Sequence, residues 1–471
     1  MLRPIAFALL ASIAALPAAG QEGPSASAQP GAPAPDSVRP APQEQDLRVH
    51  VGGYGSFRYE VSDDVAGSFT LRRFVVTTDA RLGDRFRAYS EVEYERLSKI
   101  EIERAAEASS GGLTLKQELE GSNGSELALE QAWGQLQFGS IGARFGAILP
   151  PVGRFNINHD DNLWNFPRRP LVDRGAQVLP VAAAWTEMGF GLVGEHQVGG
   201  DGLFSWQAYL VNGVTLDFSL EEKLSTRTPS RNRLLLEASI QPTQGAFDGS
   251  NTADAVTGRV AFSPALGSEI GVSGYTGPYT PEYLDVDARL STLGVDGRAR
   301  LGPVVAEGEF LYTTYANVDG VVTDFARVAR DQAAETSRAE AAELETEIEF
   351  ELTGLADHRS GLWVDLSWPI ALSDGTLGFE SALLAPVARY EHAWLDRAVD
   401  ELTFTDGRIS RLEQVDREQD RFTLGLAFRP LPQAVVQVVY ERNHAAMGSM
   451  IDPGVEESTT NGLVVGFAVG F

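Results

Sequence analysis

Cysteine is absent from the 471 residues, which removes disulfides and thiolate metal sites from consideration. Long apolar runs are missing too. Beyond the N-terminus no stretch reaches the about 18 apolar residues of a spanning helix, so any membrane crossing must be made by strands. Lysine is nearly absent: of 38 basic residues only Lys99, Lys116 and Lys223 are lysines. Positive charge as a whole is outnumbered, 38 Lys+Arg against 65 Asp+Glu for a net −27. That balance excludes the basic footprint of a nucleic-acid partner. The six histidines (50, 159, 196, 358, 392, 444) show no metal-ligand spacing. No metal and no cofactor are expected, and without a Gly-x-Ser-x-Gly elbow no enzyme is expected either. Gly189–Gly194 matches the dinucleotide fingerprint in letters but lies inside a strand with no helix after it.

What is present is alternation. From Val49 onward the chain repeats about ten residues of period-two patterning followed by a turn or loop, the weak repeated signature of a membrane barrel. The segments are 49–60, 70–82, 85–95, 127–138, 143–149, 184–195, 203–212, 255–263, 268–276, 289–301, 304–313, 361–368, 377–392, 421–429, 434–443 and 461–471. Alternate connections are short and several carry Gly or Pro. The others are long, save the first. That asymmetry is the outer-membrane arrangement. Leu234–Ile240 and Leu344–Leu352 also have strand character, and the second fits a helix equally well. Admitting either alone breaks the even count, so both are assigned to external loops. The expected fold is all-β: a transmembrane antiparallel β-barrel of about 16 strands, with long external loops and one loop folded into the pore.

The remaining chain divides simply. Residues 1–20 read as a signal peptide, with Arg3, an apolar core from Ile5 to Leu16 and small residues before Gln21. Residues 21–46 read as a Pro/Ala-rich periplasmic linker with little to bury. Residues 47–471 are the barrel. In 461–471, Leu463, Val465, Phe467, Val469 and Phe471 share one face opposite small residues. A barrel must pair its last strand with its first to leave no edge. This ending resembles the terminal strand of Gram-negative outer-membrane proteins, in which a final Phe serves recognition by the barrel-assembly machinery.

The segment 150–181 carries the functional signal. Pro150-Pro151 stop the preceding strand. Phe155, Leu163, Trp164, Phe166 and Leu171 are too apolar for a solvated tip. Arg154, Arg168, Arg169 and Arg174 face Asp160, Asp161 and Asp173, so the loop is locally cationic in an acidic chain. These arginines, with Asp160 and Asp161, are the candidate constriction and solute-binding residues. The competing reading is a salt-bridge network that pins the loop to the wall. Alternation places Arg58, Arg73, Arg81, Arg87, Arg144, Arg259, Arg298, Arg300 and Arg429 on the lumen wall, with Asp79, Glu91, Glu93, Glu95, Glu195, Glu269, Glu307 and Glu309. Opposed charges across a wet lumen sort solutes by charge and size.

The run from Arg144 to Gly175 resembles a segment of the phosphate-selective porin O and P family. The shared features are Arg144 and Gly146, Pro150 and Pro151, Asn156 with Trp164, and Arg169 with Pro170. Patches at Gly258–Pro264, Gly271–Tyr279, Glu307–Tyr312, Pro386–Glu391 and Arg421–Pro430 are similar as well. The resemblance implies a sixteen-stranded homotrimeric porin with one loop in each pore. Where that family places lysines near the constriction, 150–181 has arginines, which bind phosphate bidentately. The expectation is a Gram-negative outer-membrane porin. It passes small hydrophilic solutes and contacts outer-membrane lipid and lipopolysaccharide; the arginines of 150–181 point to an anion or phosphate preference, while the acidic total points to a cation preference, and both stay open. Two alternatives stay open: a barrel enzyme acting on lipids, and a closed structural barrel.

Overall fold

The computed structural model describes residues 47–471, except 64–65, 96–99, 110–111, 122–125, 175, 222–232, 244–253, 337–347, 354, 374, 376–377, 406–407 and 447–456. The signal-peptide and linker assignments, 1–20 and 21–46, lie outside the described residues.

Sixteen strands form one closed antiparallel ring. They are β1 (Leu47–Ser62), β2 (Ser68–Leu82), β3 (Phe86–Glu95), β4 (Glu126–Phe138), β5 (Ile141–Ile148), β6 (Glu187–Val198), β7 (Gly202–Val211) and β8 (Ala255–Ala265). Then follow β9 (Ser268–Pro278), β10 (Arg289–Leu301), β11 (Val304–Tyr315), β12 (Ala356–Ser367), β13 (Leu383–Thr405), β14 (Arg408–Leu431), β15 (Ala434–Ala446) and β16 (Glu457–Gly470). Each expected segment has its strand. β1 closes the ring on β16 from Tyr54↔Gly470 to Ser62↔Gly462. The seam continues through Phe471, whose N–H donates to the Gly53 carbonyl at 2.9 Å. Turns such as 302–303 are tight, and Gly302 supplies the positive φ of 63° that this one needs.

Burial runs opposite to that of a soluble domain. Phe190, Leu293 and Leu426 are exposed, while Arg73, Arg389 and Glu391 are buried. Along β10 exposed Leu293 and Val295 alternate with buried Thr292 and Asp296. The apolar outer face suits lipid, and ring closure satisfies every strand edge, as a bilayer demands. The chain is therefore a transmembrane β-barrel. Its hydrophobic core lies in the lumen, built from Val152, Phe155, Trp164, Leu171, Val178 and Trp185 packed on wall residues such as Trp363 and Leu311.

One correction and one open alternative now resolved concern the external connections. β13 and β14 do not stop at the expected residues 392 and 421. They continue as a hairpin of 23- and 24-residue strands. Irregular register at Leu395/Ala398, Val399/Glu401 and Thr403/Phe404 blurs the alternation there. Residues 348–353 are strand rather than helix, because partners satisfy the backbone on both edges: Arg233–Pro242 runs parallel on one side and β13 antiparallel on the other. Both doubtful segments do lie outside the ring, as assigned. The helix of this connection is upstream, at Val318–Thr336, and its Phe325 ring stacks on Phe218 at 3.8 Å.

Candidate functional site: the loop and the lumen it divides

The chain leaves β5 through Pro150-Pro151, which lack the N–H groups to continue the ladder. At Gly153 it turns with φ 73°, where a Cβ would meet the Glu309 carboxylate at 2.9 Å. Only glycine fits both demands. Gly153 N–H then donates to Ser273 Oγ (3.0 Å) and Phe155 N–H to Glu309 Oε2 (2.8 Å), anchoring the loop on β9 and β11. From there the loop crosses the lumen. Ser56 Oγ of β1 donates to Asp161 at 2.5 Å. The Arg429 guanidinium caps the carbonyls of Asn162 (2.9 Å), Leu163 (3.1 Å) and Trp164 (2.9 Å). Arg389 and Arg421 donate to the carbonyls of Arg168 and Arg169. Arg359 and Thr313 hold the carbonyls of Gln177 and Val178 at the far side.

The loop arginines are mostly bound to the wall. Arg154 pairs with Glu269 (3.1 Å) and Glu307 (3.3 Å). Arg168 pairs with Glu60 (3.0 Å) and Glu441 (2.7 Å). Arg174 pairs with Glu95 at 3.0 Å. Arg169 alone pairs within the loop, with Asp173 at 3.4 Å, and also donates to the Ala183 carbonyl. So the pinning partners are wall glutamates, with Asp173 as the one loop aspartate among them. Phe155, Trp164, Phe166 and Leu171 are buried as their apolarity demands, whereas Leu163 is exposed and lines a cavity.

His159 fastens the loop to β4. Its Nδ1–H donates to the Asn156 carbonyl (2.9 Å), a role fixed because a carbonyl can only accept, and Nε2 lies 3.3 Å from Glu130. Burial disfavours the charged imidazole, but the adjacent Glu130 carboxylate outweighs it, and His159 is pushed up to about 9. Burial alone would raise Asp161. The nearby Arg73 and Arg169 charges reverse this and hold its carboxyl below the usual range. Glu91, His159 and Asp160 have ligand atoms within 4.8 Å of one another. Their geometry could accept a divalent cation, yet His159 is already committed to Glu130 and Asn156.

The nine wall arginines lie on the inward parity of their strands, but most are neutralised. Arg58 meets Glu60 (3.1 Å), Arg73 meets Glu93 (3.0 Å), and Arg81 and Arg87 share Asp79. Arg259 meets Asp296 at 2.7 Å and Glu269 at 2.9 Å. Arg144 stacks over Trp133, 4.1 Å from the ring centre, and donates to Tyr209. Arg298, Arg300 and Arg429 make no ion pair among the described residues.

Two β-bulges bring in residues that simple alternation misses. The register of β2 against β1 skips Arg72, so Arg72 and Arg73 are both buried within the barrel. The register of β4 against β3 skips Glu130 in the same way. A bulge re-aims a side chain by inserting one residue. The adjacent charges Arg72-Arg73, in a strand that otherwise alternates, were the available signal. Arg389 and Arg421 also went unnamed, although they sit on the inward parity and form buried pairs with Asp365 (2.6 Å) and Glu391 (2.5 Å).

Cavities remain on both sides of the loop. Toward the long connections, one of about 430 Å³ is lined by Arg58, Arg72, Arg168, Arg421, Glu60 and Glu441. Another of about 890 Å³ is lined by Glu93, Glu95, Glu130 and Glu187 together with Arg73 and Arg174. Toward the short turns, the periplasmic end by the barrel rule, one of about 550 Å³ is lined by Arg154, Arg298, Arg300, Arg429 and Glu307.

No family model matches the chain, and no curated protein matches it. The chain is similar to solved outer-membrane proteins at very low identity. The trimer form of OmpT from Vibrio cholerae is 9% identical with a TM-score of 0.46, covering 90% of this chain and 99% of that one. An anion-selective porin from Comamonas acidovorans is 10% identical with a TM-score of 0.47, covering 90% and 100%. The outer membrane channel DcaP of Acinetobacter baumannii is 11% identical with a TM-score of 0.44, covering 90% and 97%. By its own geometry the chain is a closed sixteen-stranded outer-membrane barrel of porin type, its lumen divided by one charged loop.

Proposed function

We propose that the chain is a porin that passes small hydrophilic solutes by diffusion and prefers anions. The observation that carries this is the distribution of arginine on either side of the loop. Toward the short turns the cavity is lined by Arg154, Arg298, Arg300 and Arg429 with one carboxylate, Glu307, and three of these arginines make no ion pair among the described residues; toward the long connections each cavity arginine has a carboxylate partner. A charged, low-dielectric path of this kind concentrates counter-ions and repels co-ions. The likeness of 144–175 to the phosphate-selective porins supports an oxyanion preference of the same sense. Arg154, Arg168, Arg169, Arg174, Asp160 and Asp161 then shape the constriction, chiefly by holding the loop in place. Homotrimeric assembly, cleavage before Gln21, contact with lipopolysaccharide and recognition of Phe471 by the assembly machinery belong to the same reading.

Planar-bilayer recording tests it. Purified, folded protein should insert in conductance steps, and a salt gradient should give a reversal potential of anion-preferring sign. A barrel that is silent, or whose reversal potential favours cations, would overturn the proposal.

A further inference from the structure

We infer that His159 and Asp160 of the loop, with Glu91 of β3 and Glu130 of β4, form a site for a divalent transition-metal cation of the zinc class, and that the cation clamps the loop to the wall. The inference goes beyond the porin reading and does not depend on which ions the pore prefers.

The argument begins with a buried carboxylate that no guanidinium compensates. Elsewhere on the inner wall, Asp296, Asp365 and Glu391 each meet an arginine at 2.7 Å or less. Glu91 is 2% exposed and meets no arginine among the described residues. Its Oε2 accepts from the Gln131 amide (2.7 Å) and the Tyr89 hydroxyl (3.3 Å), and its Oε1 has no hydrogen-bond partner. An ionised carboxylate left in that state is costly. Arg73 does not supply the missing charge, because Glu93 and Glu130 already share it. This corner of the lumen is short of a cation.

The imidazole completes a ligand set. Its Nδ1–H donates to the Asn156 carbonyl at 2.9 Å, which fixes the ring and leaves Nε2 for a metal, the support a ligating histidine ordinarily has. Nε2 faces Glu130 Oε2 at 3.3 Å and Asp160 Oδ1 at 3.9 Å. Glu91 adds an oxygen within 4.8 Å of the ligand atoms of His159 and Asp160. Ligands about 2.0–2.2 Å from a tetrahedral cation stand roughly 3.3–3.6 Å from one another, so small side-chain movements close the set. The contact with Glu130 is no obstacle: the cation takes the place of the Nε2 proton, and Glu130 becomes its co-ligand. One nitrogen with carboxylate oxygens suits zinc and its first-row neighbours, whereas calcium and magnesium take oxygen alone. The Asp160 side chain is one-third exposed and Glu130 lines the cavity of about 890 Å³, so a cation has a way in. Two ligands belong to the loop and two to adjacent wall strands, so the bound cation cross-links them.

Zinc chloride is the probe, titrated calorimetrically at neutral pH into folded, detergent-solubilised protein that has been treated with a chelator and freed of it. Saturable binding of one cation per chain is expected, and calcium chloride at the same concentration should not displace it. His159→Ala should abolish that binding. Glu91→Gln keeps the shape of the side chain but offers no anionic ligand, and should weaken binding by on the order of tenfold or more. His392→Ala removes the other buried histidine, paired with Asp420 at 2.6 Å, and should leave binding unaltered. Heat-modified mobility shows that each variant is folded and gives a second readout. Zinc should raise the transition temperature of the native protein, a chelator should reverse the rise, and Glu91→Gln should lose it. No saturable zinc binding, or binding that survives both His159→Ala and Glu91→Gln, overturns the site. Binding with no rise in that temperature overturns the clamp.

Discussion

The two arginine-lined cavities use one residue type for two purposes. Toward the long loops the guanidiniums are matched with carboxylates, and wall arginines on strands β13 and β14 also grip the loop backbone. Arg421 pairs with Glu391 at 2.5 Å and donates to the Arg169 carbonyl. Arg389 does the same with Asp365 and the Arg168 carbonyl. Toward the short turns, Arg298 and Arg300 have no hydrogen-bond or ion-pair partner among the described residues. Buried charge pairs fix position because breaking one strands the other partner, while unpaired charges in water set the field that a solute feels. Arginine count alone therefore says little about selectivity; the partners decide.

The largest expected effect comes from breaking a fully buried pair. Glu391→Ala leaves Arg421 uncompensated and removes the acceptor for the Leu171 N–H, now bound at 2.8 Å. A loss of about 3–5 kcal/mol is expected from stranding such a charge. It should show as a lower temperature for heat-modified mobility and as a wider, noisier pore. A quiet pore with unchanged conductance would mean that the loop is held by its apolar core alone.

Selectivity should respond next, and at the other end. Arg298→Ala with Arg300→Ala should move the reversal potential toward cations by more than Arg168→Ala does. Arg168→Ala should chiefly add noise, because that residue ties Glu60 to Glu441 across the loop.

The pH dependence sharpens the comparison further. His159 is raised above its ordinary value by Glu130, so the anchor is fully present below about 6.5 and is lost as pH rises through about 9. Current noise should therefore grow between neutral pH and pH 10, and His159→Ala should be noisy throughout without that pH dependence. A noise level flat with pH in the native protein would remove the histidine from the anchor.

The smallest effect is expected at Arg174, whose side chain is one-third exposed and whose partner Glu95 is also held by Arg72 and Arg73. Arg174→Ala should cost about 1 kcal/mol or less, seen as little or no change in thermal mobility.

Much of this was legible in the residues. Period-two alternation located every ring strand, because lipid on one face and charge on the other leave no freedom of register. Pro150-Pro151 and the apolar residues of 150–181 announced a loop that turns inward. Partner identity was not legible, since Arg168 and Glu441 lie 273 positions apart and meet only through ring closure. The bulges at Arg72 and Glu130 escaped because one inserted residue reverses the parity on which the reading depends. The extension of β13 and β14 escaped because irregular register blurs the alternation there, and the strand at Ile348–Thr353, whose alternation is visible, could not be told from a helix without its pairing partners.

On this reading, unpaired arginines set the ion preference while paired ones hold the loop. Reversal potentials in a potassium chloride gradient test it directly, comparing native protein, the Arg298→Ala/Arg300→Ala double variant and Arg168→Ala. Anion preference is expected in the native pore, most of it lost in the double variant and most of it kept in Arg168→Ala. The reverse ranking, or equal shifts in both variants, would contradict it.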